Sequence, residues 1–295
     1  MIGFDPRVRR SATSFAGPLV MLALAGCGDK PAAKGAEAPL PAQPVSQIQG
    51  PAGSIHIDDG GSGGIPVVFL HSFAGSTAHW SAQLAHLRTS RRAVAVDFRG
   101  HGQSAPPANG DYAVESLAQD VAAVVDSLGL TRFILVGHSM GGSAAVAYAA
   151  AHPDRVAGLV LVGAPGKVPE AQAKQIMASL DSNYDKVMAA YSEKLLAGAQ
   201  PAVRTRLVGE MGGVPKEKSL TIIHALFAFD PLPGLKSYTG PKLIVSTDSG
   251  NDPNDLQNAM PEVPHKAITG TSHWPQLDKP DEFNGLLDEF LATIH

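Results

Sequence analysis

The sequence contains little cysteine, little charge and no long apolar run. Its 295 residues include one cysteine, so an internal disulfide is impossible and a cysteine-rich metal site is excluded. No stretch of about 18 or more apolar residues is present, so no segment has the length of a transmembrane helix. The 23 lysine and arginine residues are outnumbered by 27 aspartate and glutamate residues. This balance argues against nucleic acid as a partner, because phosphate binding needs an excess of basic charge.

The single cysteine follows an N-terminal segment with the properties of a signal peptide. Arginines at 7, 9 and 10 precede a short apolar run that ends in Leu24-Ala25-Gly26-Cys27. A basic start, a short apolar run and small residues at the end are typical of secretion signals. The last four residues resemble the lipobox of bacterial lipoproteins, which implies a signal peptide over 1–26 and lipid attachment at Cys27. An ordinary secretory signal is the alternative. The resemblance implies a bacterial cell-envelope location, periplasmic or associated with the outer membrane, with the membrane as partner.

The organisation of the chain changes near residue 51. Residues 27–50 are rich in alanine and proline without apolar periodicity, which predicts an extended tether. From 51 to 295, short apolar runs alternate with segments of helical spacing, and this alternation predicts a parallel sheet. Between about 166 and 239 only helical segments occur, which predicts a helical lid over the sheet. Continuous apolar runs, typical of strands buried on both faces, occur at 65–70, 93–96, 133–136, 158–162 and 242–246.

A Gly-x-Ser-x-Gly motif at residues 137–141, here called the elbow, lies between a predicted strand and an alanine-rich helix. Its glycines allow a sharp turn that exposes the hydroxyl of Ser139 at a helix N-terminus. There the helix dipole and the free N–H groups favour a developing anion. This context predicts that Ser139 is a catalytic nucleophile. The alternative is a serine with a purely structural place in the turn.

With this motif, the chain over residues 52–295 resembles the α/β-hydrolase fold superfamily. The resemblance implies a mostly parallel sheet with helices on both faces and a helical lid insertion. It also implies an oxyanion hole made by the backbone N–H groups of Phe73 and Met140. Ser72 stands where the family usually has glycine, so its hydroxyl adds a polar group beside the oxyanion hole.

The resemblance also assigns the base and the acid of a triad. His273 follows the last predicted strand and is expected to reach Ser139, with a near-neutral pKa suited to general base catalysis. The acid belongs to the loop after strand 242–246. Asp252 fits if the loop carries a two-residue insertion, whereas Asp248 lies directly at the strand end, and both stay open. A segment at residues 97–104 is typical of the family, and its His101 is expected to belong to a structural hydrogen-bond network.

Together these features predict a serine hydrolase, most simply a carboxylesterase that acts on small to medium esters through an acyl-enzyme. The same residues would serve an aminopeptidase acting on N-terminal proline, a C–C bond hydrolase or an acyltransferase, because one fold hosts many reactions. A non-catalytic binding protein on this fold is a further alternative. No cofactor and no metal are expected, since no His-x-x-x-His spacing occurs and carboxylates cluster only in the 247–255 loop. The expected partner is a small-molecule ester or amide.

Overall fold

Eight strands form one mixed sheet in the computed structural model, which describes residues 46–248 and 253–295. The strands are β1 (Gln47–Gly50), β2 (Gly53–Gly60), β3 (Val67–Leu70), β4 (Ala93–Val96), β5 (Phe133–His138), β6 (Val156–Val162), β7 (Lys242–Thr247) and β8 (His265–Ile268). Their order across the sheet is β1-β2-β4-β3-β5-β6-β7-β8. The β1–β2 and β2–β4 pairs are antiparallel and every later pair is parallel. The predicted α/β-hydrolase fold is therefore confirmed.

The central strands are buried on both faces, as their continuous apolar runs predict. In β3, Val68 and Leu70 point into one core, while Val67 and Phe69 point into the core on the opposite face. All four side chains are fully buried. Because successive side chains alternate between the faces of a strand, a two-sided core requires apolar residues at every position.

Helices cover both faces of the sheet. The helices are α1 (Ser81–Leu87), α2 (Val114–Ser127), α3 (Met140–Ala151), α4 (Glu170–Leu195), α5 (Pro201–Gly212), α6 (Lys216–Ala228), α7 (Pro231–Ser237), α8 (Leu256–Ala259), α9 (Pro275–Asp278) and α10 (Pro280–Leu291). Side chains of α2 and α3 belong to one core, and those of α1 and α10 belong to the other. Among the residues described, no helix combines the length and the apolar character needed to cross a bilayer.

The first strand begins earlier than the domain start predicted at residue 51. Gln47–Gly50 pairs with the first half of β2, so part of the segment predicted as tether joins the sheet. Its Ile48 and Gly50 are buried while Gln47 and Gln49 are exposed, a period-two pattern too short to stand out beside the proline-rich sequence. The proposed signal peptide, Cys27 and the tether up to residue 45 lie outside the described residues.

The helical insertion between β6 and β7 consists of α4 to α7. The first helix, α4, consists of two helical halves that meet at a kink at Asn183, whose backbone is non-helical. The last helix, α7, is not evident in the sequence. Side chains of α4 and α6 lie over the carboxyl ends of the strands, where they line a cavity with Ser139 and His273.

Candidate active site

Ser139 occupies the sharp turn between β5 and α3. Its backbone lies at φ 52° and ψ −114°, a left-handed conformation that costs a serine about 1–3 kcal/mol. The flanking glycines allow this turn: a Cβ on Gly137 would lie 2.3 Å from the carbonyl oxygen of Gly141. A strained, partly exposed serine at a helix N-terminus matches the geometry predicted from the motif. The helix dipole and the free N–H groups there favour negative charge near the hydroxyl.

The turn that contains Phe73 lies against the elbow. A Cβ on Gly141 would lie 2.5 Å from the carbonyl oxygen of Leu70, the last residue of β3, so the two segments are packed backbone to backbone. Met140 begins α3, where its backbone N–H has no partner within the helix. The turn after β3 is held by His71, whose Nδ1 donates to the carbonyl oxygen of Ser72 at 2.7 Å. The turn with Phe73 and the start of α3 with Met140 therefore lie side by side at the same edge of the sheet.

His273 follows β8 and lines the same cavity as Ser139. Its backbone is fixed from two sides, because its N–H donates to Leu195 O at 2.9 Å and its carbonyl accepts from His138 Nε2 at 2.8 Å. Its ring packs beside Gly163, where a Cβ would lie 2.8 Å from Cε1. No residue of the described part of the chain hydrogen-bonds the buried Nε2 of His273. The structure thus brings the predicted serine and histidine to one cavity.

The electrostatic environment keeps the His273 imidazole neutral. Burial, reinforced by the positive charge of Lys194, lowers the pKa of His273 to about 4. This value lies below the near-neutral one expected from the sequence, because the sequence gives no measure of how deeply the ring is buried. At neutral pH the ring is in the form that accepts a proton. Lys194 also lines the cavity, and no sequence motif identified it.

The cavity has a volume of 370 Å³ and is mostly apolar. The strand ends contribute Ser139, Gly163, Thr247 and His273. The helical insertion α4 to α7, called the cap from here on, contributes apolar side chains from both halves of α4 and from α6. Among them are Ile176, Leu180, Val187, Met188, Ile223 and Phe227. Polar side chains of the segment before and within α8 line another part, namely Asn254, Asp255 and Gln257. Such a site suits a ligand with an apolar part and a polar part.

The structure describes only one of the two candidate acids, Asp248. Asp248 follows β7, is exposed, and accepts a hydrogen bond from the Gly270 backbone N–H at 2.6 Å. Its carboxylate therefore braces the start of the loop that leads to His273. Asp252 lies in the segment 249–252, outside the described residues.

The segment at 97–104 makes structural hydrogen bonds. Asp97 accepts from the backbone N–H of Thr77 at 2.6 Å, and Arg99 forms an ion pair with the buried Asp120 at 2.7 Å. The Nδ1 of His101 lies 3.1 Å from the carbonyl oxygen of Arg99, and burial lowers the pKa of His101 well below its ordinary value. These contacts favour the structural interpretation of this segment over a role for His101 as the base.

The loop of residues 270–278 contains the predicted base His273 and is called the base loop; several contacts around it were not predicted. Asp278 accepts from Ser272 N at 2.8 Å and from Gln200 N at 2.8 Å, so one carboxylate ties the base loop to the start of α5. Trp274 is buried and donates its indole N–H to Ser72 Oγ at 3.1 Å. Both residues lie within five positions of His273, but their partners are distant in sequence. Sequence proximity to the base is the one signal that could have indicated them.

The fold is that of the α/β-hydrolases, and comparisons with known proteins agree. Residues 65–210 match the family model described as alpha/beta hydrolase fold. The sn-1-specific diacylglycerol lipase ABHD11 of Mus musculus is 30% identical over 260 residues, covering 77% of this chain and 80% of that protein. The chain belongs to the α/β-hydrolase family.

Solved structures show the same fold. The enzyme Est816, described as degrading N-acyl homoserine lactones, superposes with a TM-score of 0.74 at 26% identity, covering 83% of this chain and 99% of that one. A thermophilic esterase from Thermogutta terrifontis superposes with a TM-score of 0.72 at 23% identity, covering 84% and 98%. The second likeness shows the shared fold alone. The protein is therefore a hydrolase of the α/β fold, with a hydrolase such as ABHD11 among its relatives.

Proposed function

We propose that the protein is a serine carboxylesterase that works through an acyl-enzyme. The observation that carries the proposal is the strained Ser139 at the start of α3, which shares one cavity with the buried, neutral His273. A structural turn serine has no need of the left-handed backbone or of a basic side chain at the same cavity. Diacylglycerol lipase activity in a relative is also ester hydrolysis, which adds support.

The proposed reaction has two halves. In the first, Ser139 Oγ attacks the ester carbonyl while His273 Nε2 takes the hydroxyl proton, and the backbone N–H groups of Phe73 and Met140 stabilise the oxyanion. The tetrahedral intermediate expels the alcohol, which receives the proton from His273. In the second half, water gives a proton to His273 and attacks the acyl carbon. The second tetrahedral intermediate then releases the acid and expels Ser139 Oγ, which takes the proton back from His273. Asp252, or else Asp248, orients the imidazole and stabilises its charged form.

The cavity supports small to medium esters with an aliphatic acyl group. Its cap wall is apolar, and burying each methylene of an acyl chain contributes about 0.8 kcal/mol. A lactone is a cyclic ester, so lactones fall within the same chemistry, and an amide substrate would use the same steps. A panel of nitrophenyl esters of increasing chain length, with an aliphatic lactone and a proline amide, separates these substrates.

The decisive experiment combines labelling and turnover. Wild type should be labelled by a fluorophosphonate, which reacts with activated serines, and should hydrolyse the nitrophenyl esters. Ser139→Ala should keep its fold, lose labelling and lose turnover by several orders of magnitude, because a triad acts as a unit. Ser237→Ala, which removes an exposed hydroxyl from α7, is the matched control and should behave as wild type. Activity above about a tenth of wild type in Ser139→Ala would contradict the proposal.

We also propose that the mature protein is a lipoprotein of the bacterial cell envelope, anchored to the membrane at Cys27. The support is the lipobox-like sequence and the position of the only cysteine at its end. Cys27→Ala should lose labelled palmitate and leave the membrane fraction or remain unprocessed, while Ser139→Ala should keep the lipid. A wild-type protein without palmitate and with unchanged fractionation in Cys27→Ala would refute the anchor.

A further inference from the structure

Ser72 marks the point where this chain departs from the family pattern, and its hydroxyl has a specific partner. The Trp274 indole N–H donates to Ser72 Oγ at 3.1 Å, and both residues are 2% exposed. Glycine at position 72 would leave that buried N–H without this acceptor. A buried donor without an acceptor is costly, so the serine and the tryptophan form a matched pair.

Ser72 also fixes the direction of an oxyanion donor. The carbonyl oxygen of Ser72 accepts from Gly75 N at 3.0 Å and from His71 Nδ1 at 2.7 Å. This carbonyl and the N–H of Phe73 belong to one planar peptide unit and point in opposite directions. The two hydrogen bonds therefore set the direction of the Phe73 N–H, and the Ser72 hydroxyl links this peptide to the base loop.

Trp274 completes the connection on the side of the base. Its ring lies edge-on to the ring of His273, with centroids 5.2 Å apart and planes at 88°. It lies similarly against His138, at 5.8 Å and 80°. A hydrogen bond at the indole nitrogen fixes the rotation of the tryptophan, and the tryptophan forms a wall for the imidazole.

We propose that Ser72 is a positioning residue. Its hydroxyl ties the turn after β3 that contains Phe73 (the oxyanion turn) to the base loop through Trp274, so that the Phe73 N–H and the His273 ring keep a fixed relative position. The proposal rests on the proposed esterase function. It makes a counter-intuitive prediction, because Ser72→Gly restores the residue usual in the family and yet should lower turnover.

The kinetic test uses the full-length protein and a nitrophenyl ester. Ser72→Ala and Ser72→Gly should each lower kcat about tenfold, since small misplacements of reacting groups are costly, with KM changed less than about threefold. Trp274→Phe should lower kcat similarly. In the Trp274→Phe background, Ser72→Ala should have little further effect, because residues that act through one contact are not additive. Ser81→Ala, which removes an exposed hydroxyl bonded to Ala78 O, is the control and should match wild type.

A spectroscopic test reports the hydrogen bond without any substrate. The chain has two tryptophans, so in Trp80→Phe protein the tryptophan fluorescence comes from Trp274 alone. The Trp80 indole N–H has no partner among the described residues, so this change removes no described hydrogen bond of Trp80. Ser72→Ala in that background should shift the Trp274 emission and near-ultraviolet spectrum, whereas Ser81→Ala should not.

The outcomes distinguish the two proposals. The positioning role is supported by a shift of the Trp274 spectrum, a lower kcat in the single variants, and a double variant that is no slower than Trp274→Phe alone. An active wild type with unchanged kcat in Ser72→Ala, or an unchanged Trp274 spectrum, overturns it and leaves the esterase proposal intact. A wild type that is neither labelled by fluorophosphonate nor active overturns the esterase function and the positioning role with it. If Ser72→Ala has lost both its activity and its melting transition, the lost activity reports unfolding and Ser72→Gly decides. A folded, slow Ser72→Gly supports the positioning role, and a folded, fully active Ser72→Gly overturns it.

Discussion

His138, the residue before Ser139, connects the elbow to the base loop. Its Nε2 donates to the carbonyl oxygen of His273 at 2.8 Å, and its Nδ1 accepts from Gln276 Nε2 at 3.1 Å. These contacts require the neutral ring, and burial lowers the pKa of His138 well below its ordinary value. The side chain next to Ser139 in the chain thus holds the backbone of His273, the predicted base.

The acid of the proposed triad can be identified by comparing two single substitutions. Asp252→Asn should lower turnover at least about a hundredfold, because the amide keeps the shape but removes the charge that fixes the histidine tautomer. Asp248→Asn should cost only a few-fold, since its carboxylate is exposed and bonded to Gly270 N. Steady-state kinetics of both variants on one ester is the measurement. A large loss in Asp248→Asn alone would reverse the assignment, and small losses in both would exclude both aspartates.

Residues with a strong local pattern were predictable, and residues defined by distant contacts were not. Ser139 stands in a five-residue motif with a strand before it and a helix after it, so local sequence is enough to propose its role. The contact between Ser72 and Trp274 joins positions 202 residues apart, and no local pattern encodes it. The low pKa of His273 likewise depends on burial by the assembled cap and sheet.

At the scale of elements, strands were more predictable than the cap. Helix α7 contains two prolines and a glycine, which obscure any helical period. It forms because Pro231 suits the first helical turn and Asp230 accepts from Leu232 N at 3.0 Å as an N-cap. Gly234 lets α7 approach α3, since a Cβ there would lie 3.1 Å from Val146. The packing of α7 against α3 stabilises this helix, and contacts between elements distant in the chain cannot be predicted from the local sequence.

The turn at the end of β6 offers a test of how tightly the base is held. Gly163 has φ +51°, and its missing side chain makes room for the His273 ring. Gly163→Ala should lower turnover at least about tenfold by displacing the imidazole. Gly129→Ala is the matched control, because Gly129 has φ +65° but open space around a Cβ. Both variants should lose roughly 1–2 kcal/mol of unfolding free energy from left-handed strain.

The measurements for this pair are urea unfolding and ester turnover. If turnover falls equally in both variants, the loss comes from general destabilisation and the close packing of Gly163 on His273 has no catalytic consequence. If neither loses turnover, the base tolerates displacement by a methyl group.

At the scale of the whole molecule, the fold buries several histidines in the neutral form. Burial lowers the pKa of His71 and of His273 to about 4, and it lowers the pKa values of His101 and His138 well below the ordinary value of 6.5. For His71 the geometry agrees, because its Nε2 accepts from Phe98 N at 3.0 Å and protonation would remove that acceptor. These rings belong to the oxyanion turn, the elbow, the base loop and the 97–104 segment. Protonating them would therefore disturb several neighbouring segments at the same edge of the sheet.

The consequence is a stability that depends on pH in a defined direction. Between about pH 4 and 6.5 the unfolded chain protonates these four histidines while the folded chain does not, so stability rises with pH through this window and levels off above it. Each such proton contributes about 1.4 kcal/mol per pH unit, and four make the protein markedly less stable at pH 5 than at pH 7. Urea unfolding at pH 5, 6, 7 and 8 measures the slope. His101→Gln should make the slope shallower by about one proton. An unfolding free energy that stays constant from pH 8 to pH 5 would mean that these rings titrate alike in the folded and unfolded chain, and neutral burial would then be wrong.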